Sequence, residues 1–240
     1  MPALAAWYRV IAVDLRGMGG SGKPQGGFDK KTMARDIYEL ARHLGHDRAY
    51  VAGHDIGSMV VFSLAANHPD LAIKVAMLAV AHPDPAMYSI PMLPPPGSQF
   101  GYLWWFAFNQ VRLLPEQLRA GRARYLTDWM YADPSSLVNP GAVSYLDKAV
   151  YVRAYDQPEA IRASNGWYQA FGQDIADMGT YPVAQVPILA MYADAEPNSL
   201  VPGLDGKAAS VTPLEISSAG HFFPEEQPDQ VIQGPTRFFR

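Results

Sequence analysis

The segment Gly53-His54-Asp55-Ile56-Gly57 places an ionisable side chain between two glycines, where a predicted strand turns into a predicted helix. A turn this tight needs small residues two positions before and two positions after its apex, so that the apex side chain projects above the sheet. The same turn directs the first N–H groups of the helix toward a bound molecule. The pattern predicts that Asp55 carries chemistry; the alternative is a loop aspartate that only caps the helix.

An aspartate at this apex predicts a particular reaction. A serine nucleophile needs a base to remove its proton, whereas a carboxylate is already ionised at pH 7. A carboxylate attacks amides and esters poorly, but it can displace a leaving group from a saturated carbon. The product is an alkyl ester of Asp55, which water must then cleave. We therefore expect the electrophile to be an epoxide or an alkyl halide.

Cleaving that ester requires a general base, and His221 is the candidate among six histidines. It directly follows the last predicted strand, so it should lie at the same edge of a parallel sheet as Asp55. A base histidine needs a carboxylate that fixes its tautomer. The turn after the preceding strand offers Asp194 and Glu196, of which one is the expected partner and the other a solvated turn acid.

Opening an epoxide also produces an alkoxide, which needs a hydrogen-bond or proton donor. Tyrosine suits this role because its hydroxyl is protonated at pH 7. The candidates lie in two aromatic segments, at 102–108 and 165–168. The alternative for each of these aromatic residues is packing in a core.

The elements that would position these residues alternate between strands and helices. Short apolar runs predict strands at 8–14, 49–53, 75–81, 186–192 and 214–217, the first two buried on both faces. Helical spacing predicts helices at 30–44, which Asp29 would cap, at 56–67 and at 228–239. This order is typical of a parallel α/β sheet.

Residues 84–180 lack this strand–helix alternation and are rich in aromatic residues, proline and methionine. Helical stretches are predicted there around 115–131 and 158–171. The domain prediction is therefore an α/β core made of residues 1–83 and 181–240, interrupted by a helical insertion at 84–180.

Composition excludes several classes of protein. The net charge of −4 and the pI near 5.8 give no basic face for nucleic acid or for an anionic membrane. The absence of cysteine excludes a disulfide scaffold, a thiolate zinc site and a thiol nucleophile. The apolar runs are too short to span a bilayer and the first residues lack the basic region of a signal peptide, so a cytoplasmic enzyme is expected.

Taken together, the motifs resemble the epoxide hydrolase and haloalkane dehalogenase branch of the α/β-hydrolase fold. Asp14–Pro24 is similar to the D-x-R-G-x-G-x-S-x-x-P loop of that branch, and Gly53–Gly57 is similar to its aspartate elbow. Gly220-His221-Phe222, with Glu226-Gln-Pro228 beyond it, resembles the loop of the catalytic histidine. The resemblance implies a mostly parallel sheet flanked by helices, with an inserted helical cap.

The resemblance also implies roles for the site residues. The family pattern selects Glu196 over Asp194 as the partner of His221. It also implies that the Ile56 N–H stabilises the oxyanion by donating a hydrogen bond. These assignments complete a triad of Asp55, Glu196 and His221.

For the donors in the cap, the resemblance implies that Tyr168 is one of two. The family usually holds the second donor, a tyrosine or histidine, near the start of the cap, where this sequence has Trp105. Tyr102, three residues earlier, is the alternative.

Two departures from the dehalogenases favour an epoxide hydrolase. Haloalkane dehalogenases usually place tryptophan after the nucleophile, where this chain has Ile56, and fluoroacetate dehalogenases place arginines there, whereas residues 56–62 contain none. We therefore expect hydrolysis of a small apolar epoxide by water to a vicinal diol, without metal or organic cofactor. The alternatives are a haloalkane-type dehalogenase and a non-catalytic, ligand-binding or dimerising homologue.

The first residues carry a further expectation. Family members begin with three more strands, and residues 1–7 resemble the helix that follows the third, so the fold is expected without its strands 1–3 and without half of the oxyanion hole. An unpaired apolar strand at 8–14 is a template for pairing with another chain. The sequence therefore predicts a homodimer whose interface includes residues 1–14.

Overall fold

The sheet of this protein contains four parallel strands in the order β1-β2-β3-β4. The structure is a computed structural model, which describes residues 2–90, 103–133 and 136–240. The strands are β1 (Ala49–His54), β2 (Ala72–Leu78), β3 (Ile188–Ala193) and β4 (Val211–Ile216). In the register, Val51 lies opposite Val75, and Val75 lies opposite Ile188. All four carboxyl ends therefore meet at one edge, as the sequence predicts.

Twelve helices surround or extend this sheet in the described part of the chain: α1 (Pro2–Ala5), α2 (Lys30–His43), α3 (Ile56–Asn67), α4 (Leu103–Gln110), α5 (Leu114–Arg119), α6 (Ala123–Met130), α7 (Tyr145–Tyr155), α8 (Pro158–Gln169), α9 (Phe171–Met178), α10 (Leu200–Gly203), α11 (Phe223–Glu226) and α12 (Pro228–Phe238). Two short 3₁₀ helices lie at Pro85–Ser89 and Pro140–Ala142. We call residues 103–178, with α4–α9, the helical region.

The core lies on both faces of the central strands. On one face, α3 packs against β1 and β2 and buries Phe62 and Leu64. On the other face, Met191 and Phe223 are buried in a second cluster that α12 covers. Because β2 and β3 are buried on both faces of the sheet, their sequences are nearly continuous apolar runs rather than alternating apolar and polar residues.

The helices of the sheet domain follow the sequence signals closely. Asp29 caps α2 by accepting a hydrogen bond from the Thr32 N–H at 2.8 Å, and Gly45 follows the helix with φ +79°. The predicted helix at 56–67 is α3 itself. The structure confirms these predictions. They could be made from the sequence because caps and helical spacing depend only on neighbouring residues.

The prediction of a strand at 8–14 is wrong. This segment pairs with none of the described strands, and Ile11 and Val13 are 43% and 39% exposed rather than buried on both faces. A strand exists only through hydrogen bonds to a neighbour, and an apolar run cannot supply that neighbour. For the same reason β1 is an edge of the described sheet, with Tyr50 38% exposed, and not an interior strand as predicted.

The prediction of helical structure around 115–131 is confirmed, but the segment is not one continuous helix. The stretch divides into α5 and α6, because Gly121 adopts φ +70°, a left-handed conformation that a continuous helix does not tolerate. The stretch predicted around 158–171 is α8, which ends at Gln169 before α9 begins at Phe171.

Candidate active site

A cavity of about 260 Å³ opens at the carboxyl ends of the strands. Asp55 follows β1, Val80 follows β2, Glu196 follows β3 and His221 follows β4, and all four line this cavity. Its remaining walls come mainly from α4–α8, whose contributions are largely aromatic and aliphatic. The sheet edge and the helical region therefore enclose the predicted residues in one mainly apolar space.

Asp55 sits at a strained turn between β1 and α3. Its backbone has φ 52° and ψ −119°, which is uncommon for a residue with a side chain and is typical of functional positions. A Cβ on Gly53 would lie 2.2 Å from the carbonyl oxygen of Gly57, so the turn requires glycine there. Ile56 begins α3, so its N–H has no partner within the helix and is available beside the carboxylate.

His221 lies beside Glu196, with 3.5 Å between Nδ1 and the Glu196 Oε2. Burial alone would lower the pKa of His221, but the hydrogen bond to Glu196 and the charges of Asp55 and Glu196 outweigh it and raise that pKa. A carboxylate at Nδ1 holds the proton there and leaves the lone pair on Nε2.

Asp194 has a different environment from Glu196. Its two oxygens accept hydrogen bonds from the N–H groups of Ser218 and Ala219, at 2.9 and 3.2 Å. These hydrogen bonds lower the pKa of Asp194. Asp194 therefore braces the turn before the histidine, while Glu196 is the acid next to the imidazole.

His54 is a neighbour of the site that the sequence reasoning missed. Its Nε2–H donates to the carbonyl oxygen of His221 at 2.8 Å, and the two rings are 5.0 Å apart. Burial and the charge of His221 lower the pKa of His54 to about 4, so the ring is neutral at pH 7. His54 therefore supports the backbone of the histidine loop; its position beside the elbow was the only signal in the sequence.

One carboxylate links the histidine loop to the helical region. The two oxygens of Glu226 accept hydrogen bonds from the N–H groups of Gly220 and Asn139, each at 2.6 Å. A Cβ on Gly220 would lie 2.6 Å from the carbonyl oxygen of Ser136, so glycine allows the two segments to approach closely.

Tyr168, in α8, lines the cavity together with Trp105 of α4. The two rings stand nearly perpendicular with centroids 6.0 Å apart. Burial and the negative charge of Asp55 raise the pKa of Tyr168, and a hydrogen bond from Trp105 offsets part of that effect. The phenol is therefore protonated at neutral pH and able to donate. Tyr102, the alternative donor, lies outside the described residues.

The family model described as "alpha/beta hydrolase fold" matches residues 1–228. This chain belongs to the α/β-hydrolase family. The predicted fold class is therefore confirmed, and the cavity occupies the position at which open α/β sheets bind their ligands.

Relatives of this α/β hydrolase include the soluble epoxide hydrolase of Corynebacterium sp. (strain C12), 32% identical over 247 aligned residues that cover 100% of this chain and 83% of the relative. A solved structure of the epoxide hydrolase CorEH without ligand is 31% identical; the match covers 99% of this chain and 84% of that one, with a TM-score of 0.87. The solved structure of wild-type Cfl2 from Burkholderia cenocepacia is 32% identical; the match covers 100% of this chain and 82% of that one, with a TM-score of 0.88. The predicted resemblance to the epoxide hydrolase branch is confirmed.

In this α/β hydrolase, the loop Asp14–Pro24 positions the helix that carries Tyr168. Trp167 donates its indole N–H to the carbonyl oxygen of Arg16 at 3.0 Å. Gly17, at φ +97°, lies so close to α8 that a Cβ would meet the Ala163 methyl at 2.8 Å. The glycine-rich loop therefore serves the site through packing, without lining the cavity.

A buried ion pair adds a further link between the core and the helical region. Lys30 Nζ lies 2.8 Å from Asp174 Oδ2, and both side chains are fully buried. The same ammonium donates to the carbonyl oxygen of Trp167 at 2.6 Å. This link fixes α8 and α9 against α2.

Further polar residues that were not predicted from the sequence line the cavity, among them Arg119, Tyr151 and Tyr155. Tyr151 donates its hydroxyl hydrogen bond to Glu225. Burial and the charge of Asp55 raise the pKa of Tyr155 to about 12. The two tyrosines are four residues apart on α7, and that spacing on one helix face was a usable signal.

Among residues 2–90, 103–133 and 136–240, no group of three or more metal-ligating side chains is close enough to hold a metal ion. None of the described helices is long and apolar enough to cross a membrane.

Proposed function

We propose that this α/β hydrolase is an epoxide hydrolase that converts a small apolar epoxide and water to a vicinal diol through an alkyl ester on Asp55. The observation that carries the proposal is the presence, in one mainly apolar cavity, of a carboxylate at a strained elbow, a protonated phenol and a histidine–carboxylate pair. The relationship to the Corynebacterium soluble epoxide hydrolase supports the same reaction.

In the first half-reaction, an Asp55 oxygen attacks the less hindered ring carbon while the bond from that carbon to the epoxide oxygen breaks. The epoxide oxygen takes the proton of the Tyr168 hydroxyl, which leaves a phenolate. The indole N–H of Trp105 is the candidate second donor, since Trp105 lines the same cavity. The result is an ester between Asp55 and the substrate, which now carries an alcohol.

In the second half-reaction, His221 takes a proton from water and the hydroxide attacks the carbonyl carbon of the Asp55 ester. The Ile56 N–H stabilises the oxyanion that forms. When the intermediate collapses, the ester C–O bond breaks and the diol oxygen takes the proton from His221. Glu196 stabilises the imidazolium between these steps, and the proton that remains on the Asp55 carboxyl passes through solvent to the Tyr168 phenolate.

The helical region supports a domain proposal and a substrate class. We assign residues 84–180 as a cap over a core made of residues 1–83 and 181–240, because α4–α8 supply most of the cavity walls. A cavity of about 260 Å³ is slightly smaller than the roughly 300–1,000 Å³ of most ligand sites, and its apolar walls suit an aryl or short alkyl epoxide. No step in this mechanism uses a cofactor.

A single turnover with styrene oxide and excess enzyme in ¹⁸O-water tests the covalent mechanism. The new oxygen of the diol should come from Asp55 and be unlabelled. His221→Gln should accumulate the ester, seen as a mass increase equal to the epoxide, and Asp55→Asn should form none. Heavy oxygen in the first diol, or no ester in His221→Gln, would exclude the proposed path.

A haloalkane dehalogenase is the second candidate, because the Trp105 indole in the cavity could hold a halide. Ion chromatography after incubation with a short bromoalkane separates the two reactions. Bromide release without diol formation from styrene oxide would favour this alternative.

We also propose that the chain forms a homodimer through the surface that includes residues 1–14. Support comes from apolar side chains exposed in that segment, with Trp7 at 68%, Ile11 at 43% and Val13 at 39%. The neighbouring β1 is an edge of the described sheet, which is a surface on which another chain can pair. Light scattering at micromolar concentration is expected to give twice the chain mass of 26.3 kDa; a monomer would refute the dimer.

A further inference from the structure

Arg119, the last residue of α5, is a cation buried beside the candidate active site. It is 7% exposed and lines the cavity, and within the described chain its guanidinium forms no ion pair with a carboxylate. Its Nε has no hydrogen-bond partner there. Burying a cation in this way costs free energy, and such a cost is more common at functional positions than at structural ones.

The contacts of Arg119 run to the two helices that carry the proposed donors. Its Nη1 donates to the side-chain oxygens of Asn109 and Asn165, both at 3.2 Å. Asn109 lies in α4 and donates its amide to the carbonyl oxygen of Trp105 at 2.8 Å. Asn165 lies in α8, one turn before Tyr168, and both asparagines are buried. One guanidinium therefore ties the backbone at Trp105 to the turn that presents Tyr168.

The charge of Arg119 acts on the same pair of side chains. Its guanidinium carbon lies 5.5 Å from the ring centre of Trp105. Its positive charge lowers the pKa of Tyr168, against the larger rise that burial and Asp55 cause. When Tyr168 gives its proton to an epoxide oxygen, a negative phenolate appears in a mainly apolar cavity, where a nearby cation is most effective.

We propose that Arg119 is a positioning residue of the first half-reaction: it fixes Trp105 and Tyr168 relative to each other and stabilises the phenolate that Tyr168 becomes. This inference rests on the proposed function. It predicts that Arg119 matters for formation of the Asp55 ester and not for its hydrolysis, because His221 and Glu196 lie on the sheet side of the cavity.

The test compares two substitutions of similar volume. Arg119→Met removes the positive charge and every hydrogen-bond donor of the side chain, whereas Arg119→Lys keeps the positive charge and a hydrogen-bonding ammonium group. Arg122→Gln is the matched control, because Arg122 is an exposed arginine three residues away. Rapid-quench mass spectrometry with styrene oxide follows formation and decay of the ester separately in each protein.

We expect ester formation to slow on the order of 10²-fold in Arg119→Met, the cost of misplacing a reacting group by about 1 Å. Arg119→Lys should restore a large part of the lost rate of ester formation. The rate of ester decay in Arg119→Met should stay within about twofold of that of the parent protein, and Arg122→Gln should match the parent in both rates. Should Arg119→Met fail to fold, Asn109→Ala removes one acceptor of the guanidinium and should slow ester formation alone.

Two results would overturn the inference while the proposed function stands. One is an unchanged rate of ester formation in Arg119→Met; the other is equal slowing of both half-reactions with no rescue by lysine, which indicates a purely structural role. A parent protein that forms neither ester nor diol would refute the proposed function and this inference together.

Discussion

Replacing Glu196 with glutamine removes one charge from the pair that activates water, while the side chain keeps its shape and its ability to accept a hydrogen bond. Unit charges on Glu196 and His221, 3.5 Å apart, attract by about 5 kcal/mol at an effective dielectric constant of about 20. The transition state for water attack carries roughly half of the imidazolium charge, so about 2–3 kcal/mol is lost. Hydrolysis of the Asp55 ester should therefore slow on the order of 10²-fold.

The assay is a single turnover followed by intact-mass spectrometry at a series of pH values. In Glu196→Gln the ester should accumulate, because its formation does not use His221. Glu196 raises the pKa of His221 in the parent protein, and the imidazole must be neutral to act as a base. The parent therefore loses ester hydrolysis as the pH falls through that raised pKa, and Glu196→Gln should shift this loss to lower pH.

Asp194→Asn is the matched control, because Asp194 accepts hydrogen bonds from backbone groups and does not contact the imidazole. Ester hydrolysis in this variant should change less than about threefold, since asparagine keeps one acceptor oxygen. Equal slowing in both variants, or slowing of ester formation in Glu196→Gln, would refute the assignment of the acid.

The remaining predictions concern stability and are measured by urea unfolding. Gly53→Ala should destabilise the fold by about 1–3 kcal/mol because its Cβ meets the Gly57 carbonyl, whereas Gly57→Ala, with no atom within 4 Å of its Cβ, should not destabilise it. Lys30→Met should cost about 3–5 kcal/mol by leaving the Asp174 carboxylate buried and unpaired, and adding Asp174→Leu should recover much of this; additive losses would contradict it. Burial lowers the pKa of His82 from 6.5 to about 4, so between these two pH values the unfolded state binds a proton that the folded state does not. The free energy of unfolding should therefore fall as the pH drops from 6.5 to about 4, by up to about 1.4 kcal/mol per pH unit for this proton. His82→Gln should reduce this dependence of the unfolding free energy on pH.

The parts of the fold that local chemistry determines were predictable from the sequence. The Asp29 cap, the helix Ile56–Asn67 and the turn around Asp55 each depend on a few neighbouring residues, and the structure confirms them. The segment 8–14 shows the opposite case. Its β-branched composition is typical of a strand, but strand formation depends on a distant partner that the run itself does not reveal.

The candidate site divides in the same way. The order of strands brings Asp55, His221 and the two acids Asp194 and Glu196 to one edge of the sheet, so these residues could be named from their positions after predicted strands, and the family resemblance then selected Glu196. Arg119 could not, because its place beside the cavity depends on how short helices pack over the sheet, and for Tyr155 the only signal was its spacing from Tyr151 on one helix face. The role of His54 could not be predicted either, since its hydrogen bond joins the end of β1 to the His221 loop, which is far away in the sequence.

The carboxylate of Glu226 has a consequence for motion. Because Glu226 belongs to the core and holds the amides of both Gly220 and Asn139, lifting of the helical region must break the Asn139 hydrogen bond and removes one contact beside the loop of His221. A conformation open enough to exchange substrate for product is therefore also one in which that loop is less constrained. The amide hydrogen of Asn139 should exchange with solvent whenever the helical region opens, and that of Gly220 should exchange more slowly, because it also requires the loop itself to open.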